Sequence, residues 1–484
     1  MKNIISYLLN SKKTYKYLLI SNGILACILF YLFRDFVSGD EKNYLSYAQG
    51  LDYGRFSQWW FLPNYVPDTI STPGYPFFLF LIEKISSGLY FIKAIQLLLY
   101  SGSVFLILKI ASQYDSGYRL KNIFLILLLP YIQVSVFAMS IQPESLLTFL
   151  ITLFLYIDSR NLKPEWKYSA LGLLSGCIYL VRPSFLFFPI LLFAFKLITQ
   201  REKFPVGLGI SMLVIYFLSI MPYGIWNLKN HNVISITPIE GAGGKLSLGY
   251  WSFKMPGYYE KRYLGNSMSN EIFSFTPKSE TKNNIHAYNK EWDYIDSACA
   301  QYLSPQDYFN LAEMNNYNGY YKTYNAKYTI EREKLLKKLT MKHLKEEPIY
   351  TLKTKLFTLA RLWFTGLQLS ELQNPNSGKQ FFAIYFSIVS ALFFLASLIL
   401  IPVAFYKKKI SWAGSQTAII LITYYGLAHI AFALQAKYTI PLRLIVLLLL
   451  ARTIHGLFSN KSAKKPKENA EIESGKTNPE LHFS

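Results

Sequence analysis

The sequence predicts an all-α polytopic membrane protein, with about ten or more transmembrane helices and an extracytoplasmic domain of mixed helix and loop. Three observations predict it. Of 484 residues, 52% are hydrophobic and only 16% charged, and the mean hydropathy of +0.20 is too high for an ordinary soluble chain. The apolar residues are bunched in runs long enough to cross a bilayer. The lysines and arginines of the short connecting loops fall on alternate turns, which is the pattern that a cytoplasmic face imposes.

In chain order, candidate spans lie near Tyr17–Phe33, Leu89–Ile110, Asn122–Phe137, Gln142–Ile157, Tyr168–Val181, Ser184–Ile198 and Phe204–Met221. After a long polar stretch come Phe381–Tyr406, Ile410–Phe432 and Tyr438–His455. Arg34 and Asp35 follow the first run in place of a small-residue cleavage site, so it reads as a retained helix rather than a signal peptide. Lys12, Lys13 and Lys16, Arg119 with Lys121, Arg160 with Lys163, Arg201 with Lys203, and Lys407 to Lys409 all land on one side. Both termini are then cytoplasmic and the intervening long segments lie outside, in a bacterial cytoplasmic (inner) membrane. The expected organisation is a transmembrane module at 1–221 with an external loop at 34–88, an extracytoplasmic domain at 222–379, transmembrane helices at 380–459, and a disordered cytoplasmic tail at 460–484.

The net charge of +21 owes part of its size to the loop lysines that set topology. The external segment is lysine-rich as well, which suits anionic headgroups, lipid phosphate or an acidic glycan and leaves no place for nucleic acid. Cys27 and Cys177 fall in spans and Cys299 stands alone outside, so neither a disulfide framework nor a cysteine metal site is available. Within the external domain, leucines at helical spacing predict a helix over Ile330–Lys345 that stops before Pro348. Thr351–Leu369 sets Lys353, Lys355 and Arg361 among Leu352, Leu356, Phe357 and Leu362. It reads either as a helix lying on the outer membrane surface or as an edge helix of a small domain.

The residues able to carry chemistry sit at the outer ends of the spans. Ser38 and Glu41 fit a capping box that opens a helix, with Tyr44 on its first apolar face, and Asp40 is not needed by that motif. Its structural reading is a first-turn acid favoured by the helix dipole, whereas its chemical reading is a base. Glu41 is open to both readings. Asp68 reads as a solvated loop acid after Pro67, or as a ligand for a metal or a sugar hydroxyl. Glu144, beside Pro143, is good helix-start chemistry, yet it brings a second carboxylate to the face that holds Asp40. Arg182 before Pro183 either snorkels or grips a lipid phosphate. Lys437 with Tyr438 forms an interfacial anchor or a second phosphate contact. The glycines of Gly241-Ala242-Gly243-Gly244-Lys245 permit close backbone approach but are not a P-loop.

Taken together and in order, these fragments resemble the GT-C membrane glycosyltransferases, in particular the dolichyl-phosphate-mannose mannosyltransferase-like branch that includes the lipid A aminoarabinose transferases. The acid-plus-tyrosine loop is Asp40-Glu41-Lys42-Asn43-Tyr44, and the Pro-Gly-Tyr-Pro re-entry is Pro73-Gly74-Tyr75-Pro76. The acid-bearing start of the fourth span is Gln142-Pro143-Glu144, and the Arg-Pro start of the sixth is Arg182-Pro183. Pro222 to Asn227, with Lys229 just beyond, matches a Pro-Trp-x-x-Arg-Asn segment, and Lys437-Tyr438-Thr439-Ile440-Pro441 matches the basic-Tyr-x-x-Pro before the last span. Thr72 and Trp226 stand where the family has basic residues, so Lys437, Arg182, Lys229 and Arg55 become the candidate substitutes.

The resemblance implies an inverting transferase that moves a hexosyl or pentosyl group from a polyprenyl-phosphate donor to an envelope lipid, glycan or protein hydroxyl. Asp40 inherits the role of catalytic base. Glu41, Tyr44, Arg55, Asp68, Tyr75, Arg182, Asn227, Lys229, Lys437 and Tyr438 are the expected substrate and phosphate contacts. A divalent metal (magnesium, manganese or zinc) is implied near Asp40 and Glu144. Two other classes compete: an O-antigen-type polymerase or ligase fed by diphosphate-linked glycans, and a lipid or glycan transporter or flippase. The last usually shows inverted repeats and mid-bilayer polar groups, and neither is visible in this sequence.

Overall fold

The computed structural model describes residues 7–37, 40–61, 67–199, 204–255, 277–303, 308–310, 321–323, 326–364, 380–412, 414–430 and 436–458. The Ser38 capping position and the 460–484 tail lie outside them. The chain is a bundle of helices: α1 Lys12–Phe33, α2 Glu41–Asp52, α3 Gly74–Glu83, α4 Leu89–Tyr114, α5 Arg119–Leu128, α6 Gln133–Phe137, α7 Glu144–Ser159, α8 Pro164–Val181, α9 Phe188–Thr199 and α10 Val206–His231. The polar domain holds α11 Ala242–Trp251, α12 Lys278–Cys299, a short antiparallel pair β1 Tyr308–Asn310 and β2 Tyr321–Thr323, α13 Ala326–Glu346 and α14 Pro348–Phe364. The chain then returns through α15 Gln380–Tyr406, α16 Gln416–Ile430 and α17 Ile440–Leu457.

This is a membrane protein. Among the described residues, five helices have the length and hydropathy to cross a bilayer: α1, α4, α10, most of α15, and α17 with its leading turn. Three shorter apolar helices, Gly74–Glu83, Pro183–Thr199 and Gln416–Ile430, accompany them. The number of spans expected from hydropathy is larger, and proline accounts for part of the difference. Pro130 divides the run Asn122–Phe137 into α5 and the five-residue α6, because a proline inside a helix removes a backbone donor and clashes with the preceding turn. The run at Ser184–Ile198 likewise begins as a 3₁₀ turn, Pro183–Phe185, before α9. Conversely, α10 continues past Met221 through Pro222 to His231 and ends on Asn232 in the left-handed region (φ 55°), so the expected boundary at 221 falls inside a helix.

Packing follows small residues. Gly172 and Gly176, four apart on α8, face α10 so closely that a β-carbon at Gly172 would lie 2.5 Å from the Met212 carbonyl oxygen. Such a small-x-x-x-small stripe lets two helices meet backbone to backbone. The Pro-Gly-Tyr-Pro segment has the same explanation. A β-carbon on Gly74 would sit 2.6 Å from the Leu180 carbonyl oxygen, so glycine is what lets α3 start against the last turn of α8. At the centre runs α17, buried along nearly its whole length against α5, α7 and α15. Its buried Arg443 donates to Thr439, Tyr131 and Ser390, giving a cation in the apolar core the hydrogen bonds that its burial demands. At the far end of α7, Asp158 accepts from Lys196 of α9 at 2.5 Å and from Thr417 of α16 at 2.6 Å.

The polar domain closes over one end of the bundle. Glu333 of α13 accepts from the amides of Gly243 and Gly244, satisfying donors that a helix start leaves open. α14 shows Ile349, Leu352 and Leu356 outward at 58–70% exposure while Thr354, Thr358 and Leu362 are buried.

Candidate active site

Asp40 is the N-cap residue of α2, with φ −91° and ψ −8°, and its side chain makes no cap hydrogen bond. The expected first-turn position is thus corrected by one residue. The carboxylate turns instead across the bundle to Lys437, whose Nζ donates to Oδ2 at 2.6 Å. Lys437 rides on the 3₁₀ turn Ala436–Thr439 that leads into α17. The Lys437 ammonium, seconded by Arg182 and Lys245, holds the Asp40 carboxyl below the usual carboxylate range against the opposing effect of burial. About half of the Asp40 side chain, 47%, remains exposed, against 16% for Lys437.

A second ion pair lies alongside. Glu144, the first residue of α7, is fully buried and accepts from Arg182 Nη2 at 3.0 Å. Its other oxygen, Oε2, is buried with no hydrogen-bond partner among the described residues. Arg182 occupies the C-cap of α8 in extended conformation, and its guanidinium lies 4.6 Å from the Tyr438 ring centre. That placement follows from the sequence: the Arg-Pro step ends α8, since a residue before proline is driven out of the helical region.

Aromatic rings wall this cluster. Tyr44 meets Tyr75 edge-on at 5.0 Å, and burial pushes the Tyr44 hydroxyl above its ordinary range. Tyr75 donates to Gln96 Oε1 at 2.8 Å, and Gln96 donates in turn to the carbonyls of Ala138 and Ser140. This fixes the α2–α3 corner to α4 and to the loop before α7. Behind it, the buried Lys93 donates to the carbonyls of Arg34 and Phe36, both at 2.7 Å. It thereby caps the end of α1 where the chain leaves toward Asp40.

Two contributors were missed by sequence reasoning. Lys245, exposed near the start of α11, bears on both Asp40 and His429. His429 of α16 packs 4.1 Å from the Tyr425 ring and 5.2 Å from Tyr438. Its Nδ1 lies 2.8 Å from the Tyr425 carbonyl; a carbonyl only accepts, so Nδ1 carries the proton and Nε2 is the acceptor. The signals were present, as a lysine behind paired glycines and a Tyr-His pair four apart in an apolar run.

Of the other expected contacts, Asp68, Asn227 and Arg55 each hold a turn or loop in place. Asp68 is not solvated: 1% exposed, it accepts from Tyr47 at 2.5 Å and from the amides of Ile70 and Ser71 at 2.9 and 2.6 Å. Burial pushes it up to about 6, and these bonds shape the turn before α3. Asn227 is buried, and its amide binds the Ser235 carbonyl at 2.8 Å, pinning the chain as it leaves α10. Arg55 closes its own turn on the Trp60 carbonyl at 2.8 Å, and Lys229 is exposed on α10. Glu41 begins α2 and is 2% exposed.

Among the described residues no three His, Cys, Asp or Glu side chains gather, and Asp40 and Glu144 each face a cationic side chain. What the arrangement offers is three cations, Lys437, Arg182 and Lys245, around a half-open carboxylate, a composition matched to an anionic headgroup.

No protein-family model and no curated protein matches this chain. Two crystal structures of ArnT from Cupriavidus metallidurans do. The one bound to undecaprenyl phosphate has 15% identity and a TM-score of 0.39, covering 92% of this chain and 78% of that one. The apo structure has 14% identity and a TM-score of 0.36, covering 90% and 77%. The chain is similar to ArnT.

Proposed function

We propose that this chain is an inverting GT-C-type glycosyltransferase that moves a sugar from a polyprenyl phosphate to a hydroxyl of an envelope acceptor. The reading includes the expected topology: about ten crossings, both termini cytoplasmic and the site on the extracytoplasmic face of the cell membrane. It is carried by one observation, the half-exposed Asp40 carboxylate set among Lys437, Arg182 and Lys245 where α2, α7, α8 and α17 begin or end. The ordered motifs that resemble the family support it independently.

In this reaction Asp40 takes the proton of the acceptor hydroxyl as its oxygen attacks the anomeric carbon. The bond from that carbon to the phosphate oxygen breaks on the opposite face, so configuration inverts. The phosphate leaves with the electron pair and is held by the cationic side chains, which favour the charge that develops on it. Tyr44 and Tyr438, both partly exposed, supply ring surface of the kind that sugars stack upon. α14, with its apolar face outward, lies on the bilayer surface beside the site.

Purified protein in nanodiscs, offered labelled polyprenyl-monophosphate sugars and envelope extract, is expected to transfer label from a monophosphate-linked donor. Turnover with diphosphate-linked glycans alone would replace this reading with the polymerase or ligase class.

A further inference from the structure

The three cations at the site are not equally committed. Arg182 is bound to Glu144, which is wholly buried, so separating them strands a charge. Lys245 is exposed and pairs with no carboxylate among the described residues. Lys437, itself only 16% exposed, is held by Asp40, whose side chain is 47% exposed, so the pair can be reached from its acidic side. Lys437 therefore has two possible anionic partners once a phosphate enters beside Lys245. The diester phosphate of a donor carries two non-bridging oxygens that can take the ammonium together, whereas Asp40 meets it through Oδ2.

Resting on the proposed reading of the site, we infer that the polyprenyl phosphate headgroup takes Lys437 from Asp40, so that donor binding itself releases the base. Lys437 has two successive tasks: it quiets the carboxylate, then neutralises the leaving group. Exchanging partners restores to Asp40 the basicity that the ammonium suppresses. An acceptor hydroxyl is activated only when a donor is in place, which orders the reaction without a moving lid.

The consequence is a sign that a merely structural ion pair would not produce. Asp40 competes with the ligand, so removing it strengthens lipid binding even as it removes the chemistry. The probe is polyprenyl phosphate without sugar, titrated against full-length protein in nanodiscs. Asp40→Asn is expected to tighten binding about tenfold, the scale of coupling between contacting groups, and Lys437→Met to weaken it. General charge repulsion would also favour Asp40→Asn, so the double variant decides. In the Lys437→Met background the gain from Asp40→Asn is expected to shrink to what charge repulsion alone supplies, since no lysine remains to be freed. An equal gain in both backgrounds, or none in either, overturns the exchange. Asp40→Ser repeats the cycle if the asparagine variant does not fold. Wild-type protein that binds no polyprenyl phosphate at all would instead overturn the transferase reading, and the exchange with it.

Discussion

Asp40→Asn is expected to lower sugar transfer by about a thousandfold, within the range that a positioned general base contributes. Asparagine keeps the size of the side chain and an oxygen for Lys437 but cannot accept the acceptor's proton. Folding is expected to change far less than transfer, because the asparagine oxygen still meets the Lys437 ammonium and the side chain it replaces is 47% exposed. Transfer of label from donor lipid, set beside thermal unfolding of the same preparation, separates the two effects. Near-normal transfer in this variant would remove Asp40 from the chemistry.

Arg182→Gln is expected to fail in both respects. It leaves the fully buried Glu144 carboxylate without its cation, a change that costs about 3–5 kcal/mol when a buried pair loses one member. It also strips the Tyr438 ring of the guanidinium 4.6 Å above it and takes one positive charge from the site. The double change Glu144→Gln with Arg182→Gln is expected to recover most of the lost stability, since no unpaired charge is left buried. Turnover is expected to stay low. Unfolding temperature and transfer rate, measured on the single and double variants, would show the split; recovery of both together would reduce Arg182 to a structural role.

Much of the bundle is legible in the sequence because hydropathy is a local property. α1, α4, α15 and α17 start or stop within a few residues of the apolar runs that announce them. The misses have physical causes. α10 runs on through Pro222 to His231, past the proline and the polar residues that mark a boundary in the sequence. α12 was overlooked since its polar residues hide a spacing that Ile285, Tyr288, Trp292, Ile295 and Cys299 do display, and Tyr288, Trp292, Ile295 and Cys299 build the core of the polar domain. In the site, Asp40, Glu144, Arg182, Lys437 and the tyrosines could be nominated one by one from their places at helix ends. Their pairing could not: Asp40 and Lys437 are 397 residues apart in the chain. Asp68 misled for the opposite reason. A loop aspartate after proline looks solvated in sequence, yet the Tyr47 hydroxyl and two amides enclose it.

The reaction proposed requires the Asp40 turn to stand outside the cell. Lys42, exposed two residues on, offers the direct measurement: Lys42→Cys in a chain whose three cysteines are replaced by serine, treated with a membrane-impermeant maleimide on whole cells. Labelling of intact cells, blocked progressively by added polyprenyl phosphate, is the expected result. Labelling that occurs only after the membrane is permeabilised would put the carboxylate on the cytoplasmic face and contradict it.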